Sequence, residues 1–382
     1  MKKLHSLGQI GRLFGCGETL TGPNALAGLR RLGGNRVSVV ISSSVLAAQR
    51  LYLEKCLARV SADIIAAPRG EPLLSNACEI ASQLKAFSPD SLVAIGGGSI
   101  IDLAKLAWVI FEKPEITFDT RRQVYPVSHL RTKCSAFIAV PTTYGSGSEN
   151  SSATVFQKQE QGKKHFLVGS ELLPDIAILD PQMALGLPEK TAVFGVLDAL
   201  THAIEGYVSK GSNSATKQLS GTVIRTIRHY LSMQSITHLL ADANAVTELM
   251  LSASFAGIVQ NIATPGLAHS LSHYCAMYGV HHGQGCGYFL PLSIRYNADD
   301  ANVLERYQTL AQISGFTDYT AMLTWLDQLH KDYHLSQGMP AIQQLKSTIE
   351  PELFYADPTV STNPVPIILD RVFAMLEQHN SV

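Results

Sequence analysis

The sequence predicts two domains, an α/β half over residues 1–182 and an all-helical half over residues 183–382. Before about Met183, short runs of apolar and β-branched residues alternate with helical patterns, which is typical of parallel strands covered on both faces. After that point, helical patterns follow one another without strand-like runs between them. A chain of 382 residues is long enough to bury two such cores.

The α/β half shows an alternation of strands and helices. We expect strands at Arg36–Ile41, Ala62–Ala67, Ser91–Ile95 and Ala136–Val140, and helices from beyond Ser44 to about Arg59 and over Ser75–Phe87. In the helical half, we expect helices at Lys190–Val208, Ser214–Leu231 and Asn244–Asn261, followed by further amphipathic segments.

The composition argues against several classes of partner. The net charge is -1 and only 16% of the residues are charged, whereas binding to nucleic acid or to an anionic membrane needs a basic excess. The most apolar segment, Leu92 to Phe111, contains Asp102 and Lys105 and reads as a buried strand, a turn and a helix. No apolar stretch follows the first five residues, so we expect a cytoplasmic protein with no signal peptide and with reduced cysteines.

A carboxylate and three histidines form a candidate metal site. Asp198 and His202 are four residues apart, which places them on one face of a helix, and His269 and His282 follow later in the chain. One oxygen and three nitrogens suit Fe²⁺ or Zn²⁺ better than Ca²⁺ or Mg²⁺. The alternative is a hydrogen-bonded pair on one helix with unrelated histidines, but so many histidines in weakly charged surroundings favour a metal.

Two cysteines, Cys275 and Cys286, lie near these histidines in the sequence. We do not expect either of them to be a ligand, because four better ligands are available.

Two loops are candidates for cofactor binding. Gly96-Gly97-Gly98-Ser99 separates a strand from a helix, where backbone N–H groups and the helix dipole favour a phosphate. Its spacing is not the usual GxGxxG, and a tight structural turn is the alternative. The loop from Pro141 to Glu149 is rich in hydroxyl groups and glycine, although it could be an ordinary surface loop. Two such loops in one α/β domain favour a dinucleotide site.

Taken together, these segments resemble the iron-containing alcohol dehydrogenase family. Gly96 to Lys105 is similar to the family's GGGSxxDxAK motif, Pro141 to Glu149 to its PTTxGTGSE loop, and Leu197 to Glu205 to its DALTHAIE helix. Shorter matches occur at Phe14–Gly17, from Leu173 to Pro181, and at Thr362-Asn363-Pro364. The resemblance extends over essentially the whole chain.

The resemblance implies a fold, a metal and a cofactor. The fold would be that of dehydroquinate synthase, with a Rossmann-like NAD(P)-binding domain and a helical metal-binding domain. Fe²⁺, with Zn²⁺ as an alternative, would be bound by Asp198, His202, His269 and His282. NAD(P) would contact Gly97, Gly98, Ser99, Asp102, Thr142, Thr143 and Lys164, and His273 would act as a catalytic proton relay near the nicotinamide.

The chain departs from the family pattern at three places. His281-His282-Gly283 replaces the usual PHG, so either histidine could be the fourth ligand, and we favour His282 because it directly precedes the glycine. Ser43 stands where an acidic residue often contacts the adenosine ribose, which makes NADP(H) at least as plausible as NAD(H). Glu71-Pro72 replaces an Asn-Pro near the nucleotide.

The resulting functional prediction is a metal-dependent NAD(P) alcohol dehydrogenase or aldehyde reductase that acts on a small alcohol or aldehyde. The metal would activate the substrate oxygen while a hydride passes to or from the nicotinamide. We expect a homodimer or larger homo-oligomer. The alternatives are a glycerol-type polyol dehydrogenase, which is expected to lack the second ligand at His202, a dehydroquinate-synthase-like lyase, and a cofactor-binding protein without catalysis.

Overall fold

A computed structural model describes residues 13–31, 35–119, 122–160, 162–233 and 240–379. Its main sheet has six strands, all parallel, in the order β1-β9-β6-β4-β2-β3, and a small sheet has the order β5-β8-β7. The strands are β1 Glu18–Thr21, β2 Arg36–Ser42, β3 Ser61–Ala67, β4 Ser91–Gly96, β5 Val124–Pro126, β6 Ala136–Pro141, β7 Ala153–Gln157, β8 Lys164–Val168 and β9 Ile176–Leu179.

Helices cover both faces of the main sheet. They are α1 Ala47–Leu57, α2 Leu74–Phe87, α3 Gly98–Glu112 and the short α4 Pro181–Ala184. Successive residues of β2 enter different cores, since Val39 packs with one hydrophobic cluster and Val40 with the other. Burial on both faces explains why these strands read as continuous apolar runs in the sequence.

The second half is helical throughout the residues that the structure describes. Its helices are α5 Glu189–Val208, α6 Ser214–Met233, α7 Ala243–Ala263, α8 Leu267–Cys275, α9 His282–Asn297, α10 Ala301–Ile313, α11 Tyr319–Asp332, α12 Ile342–Thr348, α13 Pro351–Ala356, α14 Pro358–Thr362 and α15 Leu369–His379. The central helix is α5, in which every residue from Ala192 to Val208 is buried.

One helix, α7, is long and apolar enough to span a membrane, with 56% of its most apolar window buried. It packs against α5 and α6, so its apolar surface is explained by the core of the helical half.

The predicted fold class is confirmed, and the predicted strands and helices all occur with ends that differ by a few residues. The sequence did not reveal β1, β5, β7, β8 or β9, which have only three to five residues each. The domain boundary near Met183 stays a prediction; this residue lies in α4, between the last strand and α5.

The loop after β6 brings the two halves into contact. A Cβ atom on Gly145 would lie 2.5 Å from Cα of Gly195 on α5, and one on Gly147 would lie 2.3 Å from Cα of Gly257 on α7. Gly147 also has a φ of 61°, a conformation that favours glycine. Gly145 and Gly147 therefore let the loop approach the backbones of α5 and α7 closely. The contact with α5 lies about one helical turn before Asp198.

Candidate metal and cofactor site

Three of the predicted ligands, all histidines, converge on a carboxylate oxygen of the fourth. Asp198 and His202 are on α5, His269 is on α8, and His282 is the first residue of α9. The Nε2 atoms of His202, His269 and His282 lie 3.7, 3.5 and 3.6 Å from Oδ1 of Asp198.

These separations are those of ligands that share an ion. They exceed the usual N–H···O hydrogen-bond length, whereas donors about 2.0–2.1 Å from one tetrahedral ion lie about 3.4 Å apart. Oδ1 of Asp198 and Nε2 of His269 are buried and have no hydrogen-bond partner among the described residues. Buried polar atoms are seldom left unpaired, so the residues present fit a divalent cation.

A glycine lets α9 approach α5 closely enough to add its histidine. A Cβ on Gly283 would lie 1.9 Å from the carbonyl oxygen of Phe194 and 3.2 Å from Cβ of Asp198. His281 occupies a different place, because its Nδ1 accepts a hydrogen bond from the N–H of Gly283 and its ring packs against Phe194. Of the two neighbouring histidines, His282 is the one whose ring faces Asp198.

Glu205 fixes the orientation of His269. It lies on the same face of α5 as Asp198 and His202, at i+7 and i+3 from them. Its carboxylate is 2.8 Å from Nδ1 of His269 and accepts hydrogen bonds from the N–H groups of Gly266 and Ala268 at the start of α8. With the Nδ1 proton donated to Glu205, Nε2 of His269 is free to bind a metal.

Ser272 makes the equivalent contact with His282. Its hydroxyl donates to the carbonyl of His269 at 2.9 Å and lies 3.1 Å from Nδ1 of His282. The hydroxyl can therefore accept the Nδ1 proton of His282, which leaves Nε2 of that ring unprotonated.

The pKa values of the ionisable side chains in the cluster are shifted in different directions. Burial disfavours the anionic form of Asp198, but the surrounding His202, His282 and His269 hold its pKa well below the usual value. Burial lowers the pKa of His202 to about 4 and that of His282 well below its usual value. Burial would also lower the pKa of His269, yet Cys286 and the carboxylates of Asp198 and Glu205 raise it well above the usual value.

His273 lies beside the cluster and is oriented by a carboxylate. Its ring is stacked on that of His282, with 5.6 Å between centroids, and its Nδ1 is 2.8 Å from Oδ2 of Asp357. Burial opposes the anionic form of Asp357, but His273 and Thr359 hold its pKa below the usual value. An ionised Asp357 accepts the Nδ1 proton and leaves Nε2 of His273 available for proton transfer.

The predicted cofactor residues follow the carboxyl ends of three adjacent strands. Ser43 follows β2, Gly97 to Ser99 follow β4, and Thr142 and Thr143 follow β6. The chain runs from β2 to β3 on one side of it and then crosses to β4 on the other side, and such a switch point is where open α/β sheets bind nucleotides. Gly97 is the N-cap of α3, whose first N–H groups point toward this edge.

The glycines of this loop also serve packing. A Cβ on Gly98 would lie 2.5 Å from the hydroxyl of Ser146, so the glycine loop rests directly on the loop after β6. Asp102 has a different environment: it is buried, and its carboxylate accepts the N–H of Val155 on β7 at 2.9 Å. The structure gives Asp102 a role in holding β7 against α3, and its predicted contact with the cofactor stays a prediction.

Lys164 and Phe166, two residues apart on β8, lie close to the cluster. The charge of Lys164 adds to burial in lowering the pKa of His282, and the Phe166 ring is 6.1 Å from that of His273. Lys164 is also 3.5 Å from the carboxylate of Glu71, which replaces the family's asparagine. Strand β8 of the α/β half therefore borders the histidines of the helical half, where a cofactor and a substrate could meet.

Sequence comparison decides the family. The profile for the iron-containing alcohol dehydrogenase matches residues 16–181, and the profile for the C-terminal domain of the Fe-containing alcohol dehydrogenase family matches residues 192–378. The chain belongs to the iron-containing alcohol dehydrogenase family. Membership makes it an oxidoreductase that acts on CH–OH groups with NAD(P) and a metal, and it favours the dehydrogenase prediction over the lyase and non-catalytic alternatives.

Individual family members support this assignment. An alcohol dehydrogenase of Thermococcus barophilus is 30% identical over 84% of both chains. An enzyme of Clostridium saccharobutylicum named NADPH-dependent butanol dehydrogenase is 29% identical over 93% of this chain and 94% of its own. The structure of an iron-containing alcohol dehydrogenase from Thermococcus thioreducens, 28% identical, matches 96% of this chain and 99% of its own with a TM-score of 0.84.

Three residues that contact the histidines of the site were not predicted from the sequence. Glu205 ends the helix motif that begins at Leu197, and its i+7 spacing from Asp198 was the signal that could have shown its role. Ser272 and Asp357 had no such signal, because each reaches its histidine partner only through tertiary packing.

Proposed function

We propose that this enzyme reduces small aldehydes to primary alcohols with NADPH and catalyses the reverse oxidation with NADP⁺. The observation that carries the proposal is the cluster of Asp198, His202, His269 and His282 bordered by the glycine and hydroxyl loops of the sheet edge. When bound, a divalent cation would polarise the substrate oxygen, and the nicotinamide would supply or accept the hydride.

The protein side chains divide the remaining tasks. Glu205 and Ser272 hold the imidazoles of His269 and His282 so that their Nε2 atoms face Asp198. The loops after β4 and β6 position the nucleotide, and the burial of the cluster excludes water from the reacting carbon. His273, aligned by Asp357, relays from solvent the proton that the alcohol oxygen gains after hydride transfer.

The preference for NADPH rests on Ser43 and Arg69. Nε of Arg69, which follows β3, donates to the hydroxyl of Ser43 at 3.3 Å, and both residues are exposed at the edge where the adenosine ribose is expected. A guanidinium beside a serine offers several donors to a 2′-phosphate, and no carboxylate at position 43 repels it. The Clostridium relative that is named for NADPH use agrees with this choice.

The test compares kcat/KM for NADPH and NADH with butanal as the substrate. We expect NADPH to be preferred, and Arg69→Ala to lower kcat/KM for NADPH at least about tenfold while leaving that for NADH nearly unchanged. Arg59→Ala, an exposed arginine at the end of α1, is the matched control. Preference for NADH in the wild type, or equal loss with both cofactors in Arg69→Ala, would contradict the assignment.

Two further proposals concern the oligomeric state of the enzyme and its location in the cell. We propose that the enzyme is a homodimer or larger homo-oligomer and that it acts in the cytoplasm. Light scattering coupled to size-exclusion chromatography gives the mass in solution, and a monomer of 41.3 kDa would overturn the first of these.

A further inference from the structure

A fifth donor atom lies against the cluster. Cys286 is on α9, one turn after His282, and its side chain is fully buried. Its Sγ is 3.6 Å from Nε2 of His282 and 3.4 Å from the hydroxyl of Ser272. One ligand atom from each of Asp198, His269, His282 and Cys286 lies within 4.8 Å of the other three.

The position of this sulfur fits a shared cation. A thiolate about 2.3 Å and an imidazole about 2.0–2.1 Å from a tetrahedral zinc ion are about 3.6 Å apart, which is the separation of Cys286 and His282. Two of the buried side-chain atoms without a hydrogen-bond partner, Oδ1 of Asp198 and Nε2 of His269, belong to the same set of four residues. His202 approaches Asp198 but is not a member of that set.

Cys275 shows that burial near the histidines does not by itself produce this arrangement. It is buried at the end of α8, and its Sγ contacts the carbonyl oxygen of Leu271 at 3.8 Å. Cys286 instead has nitrogen and hydroxyl neighbours that belong to, or orient, the cluster.

We propose that Cys286 is an additional metal ligand of this centre and that its thiolate raises the preference of the site for zinc over iron. The inference rests on the proposed metal site and adds a soft donor to its oxygen and nitrogen set. On binding, the S–H bond is broken, the sulfur–metal bond forms, and the proton passes to solvent, with no change of oxidation state. A thiolate raises the preference of a site for zinc, because soft ligands favour softer ions.

The experiment is X-ray absorption spectroscopy of the full-length protein loaded with one equivalent of Zn²⁺. We expect a sulfur shell at about 2.3 Å in the wild type and in the matched control Cys275→Ala, together with nitrogen and oxygen at about 2.0–2.2 Å. Cys286→Ala and the nearly isosteric Cys286→Ser should lack the sulfur shell. Competition between Zn²⁺ and Fe²⁺ under anaerobic conditions should show the preference for zinc reduced at least about tenfold in both variants.

The outcomes separate this inference from the function on which it rests. Stoichiometric zinc surrounded only by nitrogen and oxygen would overturn the role of Cys286 and leave the dehydrogenase site intact. Failure of the folded wild type to bind any divalent metal would overturn both. If Cys286→Ala does not fold, the wild-type spectrum and Cys286→Ser still decide the question.

Discussion

The carboxylate of Glu205 lies 2.8 Å from Nδ1 of His269 and also accepts the first N–H groups of helix α8. One buried acid thus fixes both the ring orientation of a ligand and the helix that carries it. Negative charge is favoured at a helix N-terminus, so the two contacts reinforce each other.

Replacement of Glu205 should therefore weaken metal binding. We expect Glu205→Gln to lower the affinity for Zn²⁺ or Fe²⁺ by about 10- to 100-fold, the usual effect of losing a carboxylate that orients a ligating histidine. A competition titration with a chromophoric chelator measures this. Glu112→Gln is the control, because Glu112 accepts backbone N–H groups from Thr132 to Cys134 in the other half and should affect stability alone.

Metal affinity should fall as the pH falls. The pKa of His269 is raised well above its usual value, so the metal must displace a proton from this ring below that pKa. We expect the dissociation constant to rise by at least about tenfold per pH unit there, because His269 releases one proton on binding and the proposed ligand Cys286 releases another. Below about pH 4, the reduced pKa of His202, this ring also takes up a proton and the dependence steepens. An affinity that does not change between pH 5 and pH 7 would argue against a protonated His269.

His273 should matter for proton transfer more than for binding. We expect His273→Gln to lower kcat for aldehyde reduction at least about a hundredfold with a small change in KM, as for other general acids. Asp357→Asn should lower kcat less, since the imidazole remains but loses its orienting anion. His281→Gln, whose ring packs on Phe194, is the control. Steady-state kinetics that show unchanged kcat in His273→Gln would remove it from the mechanism.

Gly283 should be required for assembly of the cluster. A methyl group at this position would lie 1.9 Å from the carbonyl oxygen of Phe194, so Gly283→Ala must push the start of α9 away from α5. We expect a loss of about 1–3 kcal/mol in the free energy of unfolding and of most metal affinity. In Gly221→Ala the added methyl meets only the side chains of Ile313 and Arg225, far from the cluster in the sequence, so metal binding should be retained.

An acidic residue at position 43 should reverse the cofactor preference. In Ser43→Asp, a carboxylate would repel the 2′-phosphate of NADPH and could accept the ribose hydroxyls of NADH. Because juxtaposed like charges cost several kcal/mol, we expect the ratio of kcat/KM for NADPH to that for NADH to fall about 100-fold. Ser82→Asp, on the exposed surface of α2, controls for the added charge. A ratio unchanged by Ser43→Asp would place the ribose elsewhere.

The sequence predicted the fold where local patterns decide it. The parallel strands are apolar on both faces, and α5 carries its ligands at helical spacing, so both were visible as periodicity. Asp357 and His273 are 84 residues apart in the sequence, and Arg69 and Ser43 are 26 residues apart. Their contacts arise only from tertiary packing, so no local pattern could predict them. Cys286 was set aside because four better ligands were available, and only the structure shows its sulfur beside His282.

The most direct test of the account is the metal dependence of hydride transfer. The metal-free protein should be titrated anaerobically with Fe²⁺ or Zn²⁺ while the oxidation of NADPH by butanal is followed. We predict no turnover without metal, full activity at about one ion per chain, and loss of both binding and turnover in Asp198→Ala. Turnover by the metal-free enzyme, or full activity in Asp198→Ala, would contradict the assignment of this cluster as the catalytic centre.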